Sequence, residues 1–132
     1  MTMLISVAVI AFCVLAEMFG RSAARRFVSY SYNSGAAFGS LRDSPALLLN
    51  LEIAMNIIVL LMLIFGKMRT GTRIGLSMML GGAVSNLVER IVWGHVIDWI
   101  PVPFLPLKFN LSDAFIGLGA VIVFMMLNSP RR

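Results

Sequence analysis

Four long apolar segments, separated by shorter polar connections, set the plan of this sequence. They cover residues 3–19, 45–65, 74–92 and 111–127, and each comes close to the roughly 20 residues that a helix needs to cross a bilayer. Because the bilayer interior offers peptide groups no water, we predict that all four are α-helices. No lysine or arginine precedes the first segment, so we expect a retained helix and not a cleaved signal peptide.

The connections are predicted to be surface turns and short strands. Apolar and polar residues alternate over residues 28–33, which is the period of a strand with one apolar face. Residues 33–37 then supply turn chemistry, and the pattern by itself favours a plain surface hairpin. Residues 66–73 form a short basic turn between antiparallel helices. Residues 101–106 contain three prolines, so they cannot continue a helix.

The composition indicates a single membrane domain over residues 1–132. Hydrophobic residues make up 59% of the chain and charged residues 13%, which is too apolar for an ordinary soluble protein. The net charge of +5 does not point to nucleic acid, because the charges lie in connections where they orient helices or meet anionic lipid. They divide almost evenly between the two predicted surfaces, so they leave the orientation open.

Metal and cofactor chemistry is not expected from the residue types present. Cys13 is the only cysteine and His95 the only histidine. A disulfide framework, a paired-cysteine metal site and a histidine triad would all lack partners. We interpret Cys13 as a packing residue inside the first helix.

Two acids fall within predicted membrane helices. Glu17 lies near the end of the first, four residues before Arg21. The two residues form either an interfacial ion pair or part of a site that Glu17 orients. Glu52 lies four residues before Asn56, and an ionisable residue in this position is a functional candidate. A hydrogen bond to Asn56 or to a neighbouring helix is the favoured interpretation for Glu52.

Polar residues are most concentrated between residues 86 and 113. Asn86, Glu89 and Arg90 occur at i, i+3 and i+4, which places them on one face of the third helix. Arg90 could neutralise Glu89 and still donate to a substrate carbonyl. The structural alternative is an ion pair that closes the helix at the interface.

Asp98 and Asp113 are the candidate catalytic groups. Taken singly, Asp98 could be a turn residue, and Asp113 could stabilise a helix that Asn110 caps. Beside Asn86, Arg90 and Asn110, we predict that the two carboxyl groups meet and share one proton. The ionised partner then takes a proton from water while the protonated partner polarises a peptide carbonyl.

Several blocks of the sequence resemble the lipoprotein signal peptidases (signal peptidase II). They are NLVER at 86–90, GHVID at 94–98, FNLSD at 109–113 and NSGAAF at 33–38. The resemblance covers nearly the whole chain, with matching order and helix count. Two positions depart from the usual motifs by one methylene, because Glu17 and Glu89 stand where the family has aspartate. Glu52 has no counterpart that we can name.

The resemblance implies a fold and a location. The fold is an all-α membrane protein, a four-transmembrane-helix bundle with a small extracytoplasmic β cradle on the outer leaflet. The location is the cytoplasmic (inner) membrane of a bacterium, with both termini cytoplasmic and the site open to the extracytoplasmic side. We expect a monomer surrounded by membrane lipids.

The resemblance also implies an activity. It is that of an aspartic endopeptidase that removes signal peptides from prolipoproteins by cleaving before the diacylglyceryl-modified cysteine, without metal or cofactor. The partner is then the lipid-modified prolipoprotein. By position, Asp98 and Asp113 match the catalytic dyad, and Glu17 and Glu89 are supporting residues. The residues that match the substrate site are Asn33, Asn86, Arg90 and Asn110.

Two other functions remain open at this point. A proton-coupled small multidrug-type transporter also has four short helices and a membrane glutamate in the first. That interpretation makes Glu17 and Glu52 central and leaves Asp98 and Asp113 without a purpose. The second open function is that of a catalytically inactive family member that only binds lipidated peptides.

Overall fold

The computed structural model describes residues 2–36 and 40–130. These residues form four helices: α1 (Thr2–Phe27), α2 (Pro45–Phe65), α3 (Thr70–Trp93) and α4 (Leu111–Asn128). They also form four short strands: β1 (Ser31–Asn33), β2 (Val96–Asp98), β3 (Ile100–Pro101) and β4 (Lys108–Phe109). By length and composition, three helices in this part of the chain, α1, α2 and α4, can cross a membrane.

The described residues form four helices in the predicted order, and two predicted boundaries are wrong. The third helix was predicted to begin at residue 74, but α3 begins at Thr70, so the predicted turn over residues 66–73 is shorter. The predicted bounds of α2 match the structure, and α4 ends one residue later than predicted. The first helix was predicted to end at Phe19, but α1 continues to Phe27. Hydropathy falls after Phe19, yet alanine and arginine are strong helix formers, so the helix continues as a polar extension. The predicted strand over residues 28–33 is therefore reduced to β1.

The helix α3 occupies the centre of the bundle and contacts α1, α2 and α4. Its glycines allow this close approach. A Cβ on Gly75 would lie 2.7 Å from the carbonyl oxygen of Gly119 on α4, and one on Gly81 would lie 2.8 Å from the Cβ of Cys13. Cys13 is buried, as its packing role requires.

Apolar side chains cover much of the outer surface of the bundle. The buried core is small and consists of Val59, Leu63, Leu76 and Leu80. Phe12 on α1 and Leu127 on α4 expose 64% and 73% of their surface. A water-soluble protein rarely exposes apolar patches this large. Lipid is the solvent that such a surface fits, so we treat the chain as a multi-pass membrane protein.

The four strands lie at one end of the bundle. Strands β1 and β2 pair antiparallel, with Ser31 opposite Asp98, and β3 pairs antiparallel with β4. Gly94 ends α3 in the left-handed conformation (φ 75°) and donates its backbone N–H to the carbonyl of Arg90. A residue without Cβ adopts this conformation freely. The turn at Gly94 leads the chain directly into β2.

The α2–α3 connection and the end of α4 lie together at the other end. Arg69 donates to the backbone carbonyls of Met126 and Ser129, each at 3.2 Å. Arg73 donates to the carbonyl of Leu63 at 2.7 Å. These bonds satisfy carbonyls that the helix ends leave open. The strands thus lie at one end of the bundle, and at the other end arginine side chains hydrogen-bond to the carbonyls of the helix ends.

Candidate active site

Asp98 ends β2 with both carboxyl oxygens hydrogen-bonded. Asn33 on β1 donates to one oxygen at 3.0 Å, and Asn110 donates to the other at 2.9 Å. Burial raises the pKa of Asp98; the charge of Asp113 adds to this rise, while the amides of Asn33 and Asn110 and the charge of Arg90 oppose it. Asp98 therefore retains a proton more readily than an aspartate in water does.

Asp113 lies in the first turn of α4 and forms a capping box with Asn110. The backbone N–H of Asp113 donates to the Asn110 side chain at 2.9 Å, and the backbone N–H of Asn110 donates to the Asp113 carboxylate at 3.3 Å. Asn86 on α3 donates to the other Asp113 oxygen at 3.0 Å. The predicted cap is confirmed. Since Asn110 bonds to both aspartates, it holds the two carboxyl groups next to each other.

Both aspartates line a groove of about 1020 Å³. Its polar part also includes Asn33, Asn86 and Arg90, so the structure brings all six predicted dyad and substrate residues to one place. Its other walls are largely apolar, and they include Val96, Val102, Leu107, Phe109 and Ile116. A groove of this kind can accept a ligand that combines a polar backbone with an apolar part.

Arg90 lies on the groove wall and bonds to two other elements. One terminal nitrogen forms an ion pair with Glu52 on α2, and the other donates to the carbonyl of Gly35 at 2.6 Å. The prediction that Arg90 neutralises Glu89 is wrong, since Glu89 forms its ion pair with Arg21 on α1. Consecutive residues of a helix are rotated by about 100° about its axis. Glu89 and Arg90 therefore lie at the two edges of the polar face, so that Glu89 faces α1 and Arg90 faces the groove.

Glu17 and Glu89 are buried and bond to the backbone beside the aspartates. Glu89 accepts a hydrogen bond from the backbone N–H of Ile97 at 3.1 Å, one residue before Asp98. Glu17 accepts one from the backbone N–H of Ser112 at 3.1 Å, one residue before Asp113. Arg21 forms its ion pair with Glu89, so the alternative of a Glu17–Arg21 interfacial ion pair is wrong.

Glu52 was not predicted to line the site. Its expected contact with a neighbouring helix is confirmed by the ion pair with Arg90. Asn56 bonds to the backbone carbonyl of Glu52 at 2.9 Å and leaves the carboxylate free for α3. The available signal was its ionisable side chain within an apolar helix, but the sequence does not show which face of α2 meets α3.

The turn after β1 is described only in part. The Asn33 side chain accepts a hydrogen bond from the backbone N–H of Gly35 at 3.0 Å, as the predicted turn chemistry requires. Ala37 and Phe38, which complete the block from Asn33, lie outside the described residues. No three histidine, cysteine, aspartate or glutamate side chains are grouped to hold a metal ion in residues 2–36 and 40–130.

Solved structures with the same fold support this arrangement of helices. A bacterial membrane enzyme determined by the in meso method at 2.3 Å resolution aligns with a TM-score of 0.77 over 96% of this chain and 93% of that chain. A second such structure, at 1.9 Å resolution, aligns with a TM-score of 0.75. At 19% identity, both comparisons concern the fold only.

Curated relatives named lipoprotein signal peptidase match most of the chain. The protein of Caldanaerobacter subterraneus subsp. tengcongensis is 29% identical over 89% of this chain and 92% of its own length. The Moorella thermoacetica protein is 34% identical over 78% of this chain and 69% of its own length. The Ectopseudomonas mendocina protein is 39% identical over 70% of this chain, which spans 60% of that relative.

The sequence model of a peptidase family, Peptidase_A8, matches residues 15–128 and is described as signal peptidase (SPase) II. The match contains both aspartates, the capping asparagine and all four helices at least in part. This protein therefore belongs to the signal peptidase II family.

Proposed function

We propose that this protein is an aspartic endopeptidase that removes signal peptides from prolipoproteins by cutting before the diacylglyceryl-modified cysteine. Membership of a peptidase family and the names of its relatives support the reaction class and the substrate. The observation that carries the proposal is the pairing of Asp98 and Asp113 through Asn110 at the polar part of the groove.

The two carboxyl groups are suited to share one proton. Burial and the nearby Asp113 charge raise the pKa of Asp98, whereas Asp113 lies at the N-terminus of α4, where the helix dipole favours negative charge. In the proposed resting state Asp98 carries the proton and Asp113 is ionised. The Asp113 charge acts directly on Asp98, so the two groups are coupled.

The proposed reaction has two steps. Asp113 takes a proton from water, the water oxygen attacks the peptide carbonyl carbon, and Asp98 gives its proton to the carbonyl oxygen. The tetrahedral intermediate then collapses, with the C–N bond breaking as the nitrogen receives the proton from Asp113. Asp98 regains its proton when the new carboxyl group forms. Arg90 and the asparagine amides hold the substrate backbone and stabilise its developing charge.

The groove supports a lipid-modified peptide as the substrate. Arg90 lines the polar part of the groove, so its guanidinium is placed to meet a peptide carbonyl. The apolar walls at Val102, Leu107 and Ile116 extend from the polar part of the groove. A peptide that carries acyl chains on a cysteine would place its backbone by the aspartates and its chains along these walls or in lipid.

We further propose that all four helices cross the inner membrane of a bacterium. The polar side chains of α3 are covered by three apolar helices, which is how polar groups are accommodated at membrane depth. Both termini would then be cytoplasmic. The two small sheets would form the predicted β cradle at the extracytoplasmic surface, with the groove open to that side.

Cleavage of a diacylglyceryl-modified prolipoprotein peptide by the purified protein in detergent tests the proposal. We expect Asp98→Asn and Asp113→Asn each to lower the rate about 10²-fold or more, the usual range for an acid/base group. Asp43→Asn is the matched control, because Asp43 is exposed outside the groove. Thermal unfolding should show that all three variants are folded.

Other outcomes would point to the alternative functions. A wild-type protein that binds the peptide without cutting it would be an inactive, lipopeptide-binding family member. The absence of both binding and cleavage would revive the transporter hypothesis, with Glu17 as the next residue to mutate. The geometry does not favour a transporter, because Glu17 is fully buried and bonded to the start of α4, away from the groove.

A further inference from the structure

Glu52 is an acid on the groove wall to which the proposed mechanism assigns no task. Its side chain is 21% exposed, and one carboxylate oxygen forms an ion pair with Arg90. The other oxygen is buried without a hydrogen-bond partner. An ionisable residue inside a membrane helix is costly to insert, so its presence calls for a physical reason.

Arg90 is held at both of its terminal nitrogens. Glu52 holds one nitrogen from α2, and the carbonyl of Gly35 holds the other at 2.6 Å from the segment after β1. A planar guanidinium with two fixed donors has a defined orientation. The third nitrogen, Nε, is buried and has no hydrogen-bond partner.

The charged and titratable groups of the groove come from every element that surrounds it. They are Tyr32 on β1, Arg42 before α2, Glu52 on α2, Arg90 on α3, Asp98 on β2, Lys108 on β4 and Asp113 on α4. Lys108 donates to the backbone carbonyl and the hydroxyl of Ser29, each at 2.9 Å, and Arg42 is exposed. His95 packs against Tyr32, with ring centroids 4.4 Å apart. Among these described groups Arg90 is the cation that is bonded to a carboxylate of the groove, and its side chain is 9% exposed.

We propose that Glu52 is a positioning residue for the peptidase reaction, which keeps the Arg90 guanidinium bonded to α2 and so withholds it from the two aspartates. This inference rests on the proposed function. With Glu52 in place, Asp98 and Asp113 bond to neutral amides from Asn33, Asn86 and Asn110. The dyad can then keep its shared proton, and the Arg90 guanidinium stays on the groove wall beside the substrate backbone.

Loss of the Glu52 charge would act on the dyad in two ways with the same sign. The released guanidinium would be drawn to the nearest carboxylates, and an arginine beside an aspartate favours its ionised form. The Glu52 carboxylate also repels the charge of Asp113 directly, so its removal again favours ionisation. Both effects move the loss of the shared proton to lower pH.

The pH dependence of kcat/KM on the lipidated peptide tests this inference. We expect Glu52→Gln to move the basic limb down by about one pH unit, so that activity on that limb falls about tenfold. Glu52→Asp keeps the charge and should leave the limb in place, even if the shorter side chain lowers kcat/KM. Asn56→Ala is the control on α2, because the hydrogen bond from Asn56 to Glu52 goes to the backbone carbonyl and not to the carboxylate.

Infrared titration gives a readout that does not depend on turnover. The carboxylic-acid band that Asp98→Asn removes should disappear at lower pH in Glu52→Gln than in the wild type. An unmoved band and an unmoved basic limb would overturn the inference, as would a pH-independent fall in activity that follows lost thermal stability. Failure of the proposed function is distinct, because the wild type would then not cleave, or both aspartate variants would remain active.

Discussion

Asn110 couples the start of a helix to the candidate catalytic pair. Its side-chain oxygen accepts the N–H of Asp113, as an N-cap does, and its side-chain amide donates to Asp98. A neutral residue with one acceptor and one donor is needed, since aspartate would add a third negative charge and serine is too short to span both groups. Capping, worth about 1 kcal/mol in stability, thereby also orients the dyad.

The protonation of Asp98 should be visible in the stability of the protein. Burial raises the pKa of Asp98 above its ordinary 3.8. Between the ordinary and the raised pKa, the folded protein holds a proton that the unfolded chain has released. Stability from this group is therefore present at low pH and decreases as pH rises through the raised pKa. Relative to Asp98→Asn, the wild type should lose stability as pH rises from the ordinary pKa of aspartate, 3.8, through the raised pKa of Asp98.

Thermal unfolding in detergent at several pH values measures this difference. Asp43→Asn removes an exposed carboxylate from outside the groove and serves as the control. Parallel curves for the wild type and Asp98→Asn over the whole range would contradict the raised pKa of Asp98.

The members of the site could be predicted from the sequence, but several of their partners could not. Asp98, Asp113 and Asn110 are close in sequence, so two turns and a helix start suffice to bring them together. The partners of Arg21 and Arg90 depend on how far α1, α2 and α3 are rotated about their axes. Sequence spacing allowed the pairs Glu17–Arg21 and Glu89–Arg90, whereas the structure pairs Arg21 with Glu89 and Arg90 with Glu52.

The contact of α3 with α4 sets the position of Asp113 relative to Asn86. Gly82 makes this contact close, since a Cβ there would collide with the backbone oxygen of Ser112 and lie 3.0 Å from the Cγ1 of Ile116. We expect Gly82→Ala to destabilise the protein by about 1–3 kcal/mol, the usual range for overpacking. It should also lower peptidase activity, because Ser112 directly precedes Asp113.

Gly117 provides a matched comparison on α4. A Cβ at Gly117 would meet nothing within 4 Å. Gly117→Ala should therefore leave the thermal unfolding temperature unchanged or raise it, since alanine favours a helix by up to about 1 kcal/mol over glycine. If Gly82→Ala and Gly117→Ala changed the thermal unfolding temperature equally, close packing at Gly82 would not be what stabilises the contact of α3 with α4.

The ends of a helix were predictable where the apolar segment and the helix end at the same residue. Pro45 starts α2 and Asn110 caps α4, so the sequence carries explicit signals at both points. At the end of α1 these two properties separate, because residues 20–27 are polar and still helical. The short strand pairs depend on contacts between distant segments, such as Ser31 with Asp98, which local patterns do not encode.

The bundle has two chemically distinct ends, and their assignment to membrane sides is open to direct measurement. One end carries the strands and the groove, and the other carries the α2–α3 connection with Lys67 and Arg69. The numbers of basic residues at the predicted surfaces are too similar to orient the chain. The groove supplies the argument instead, because the proposed function requires it to open at the extracytoplasmic surface.

Single cysteines at the two ends of α3 test the membrane topology. Lys67 and Phe104 are exposed and flank this helix, and Phe104 is fully exposed between β3 and β4. In a Cys13→Ala background, a membrane-impermeant maleimide added to intact bacterial cells should label Phe104→Cys and leave Lys67→Cys unlabelled until the membrane is permeabilised. The wild type is the control, because Cys13 is 1% exposed and should not react.

The labelling pattern separates the possible topologies. Labelling of both positions in intact cells would mean that α3 does not cross the membrane, which would leave three spanning helices, α1, α2 and α4. Labelling of Lys67→Cys alone would place the groove in the cytoplasm. That result would contradict the proposed function, because the aspartates would then face the cytoplasm, whereas the proposed cleavage takes place at the extracytoplasmic surface.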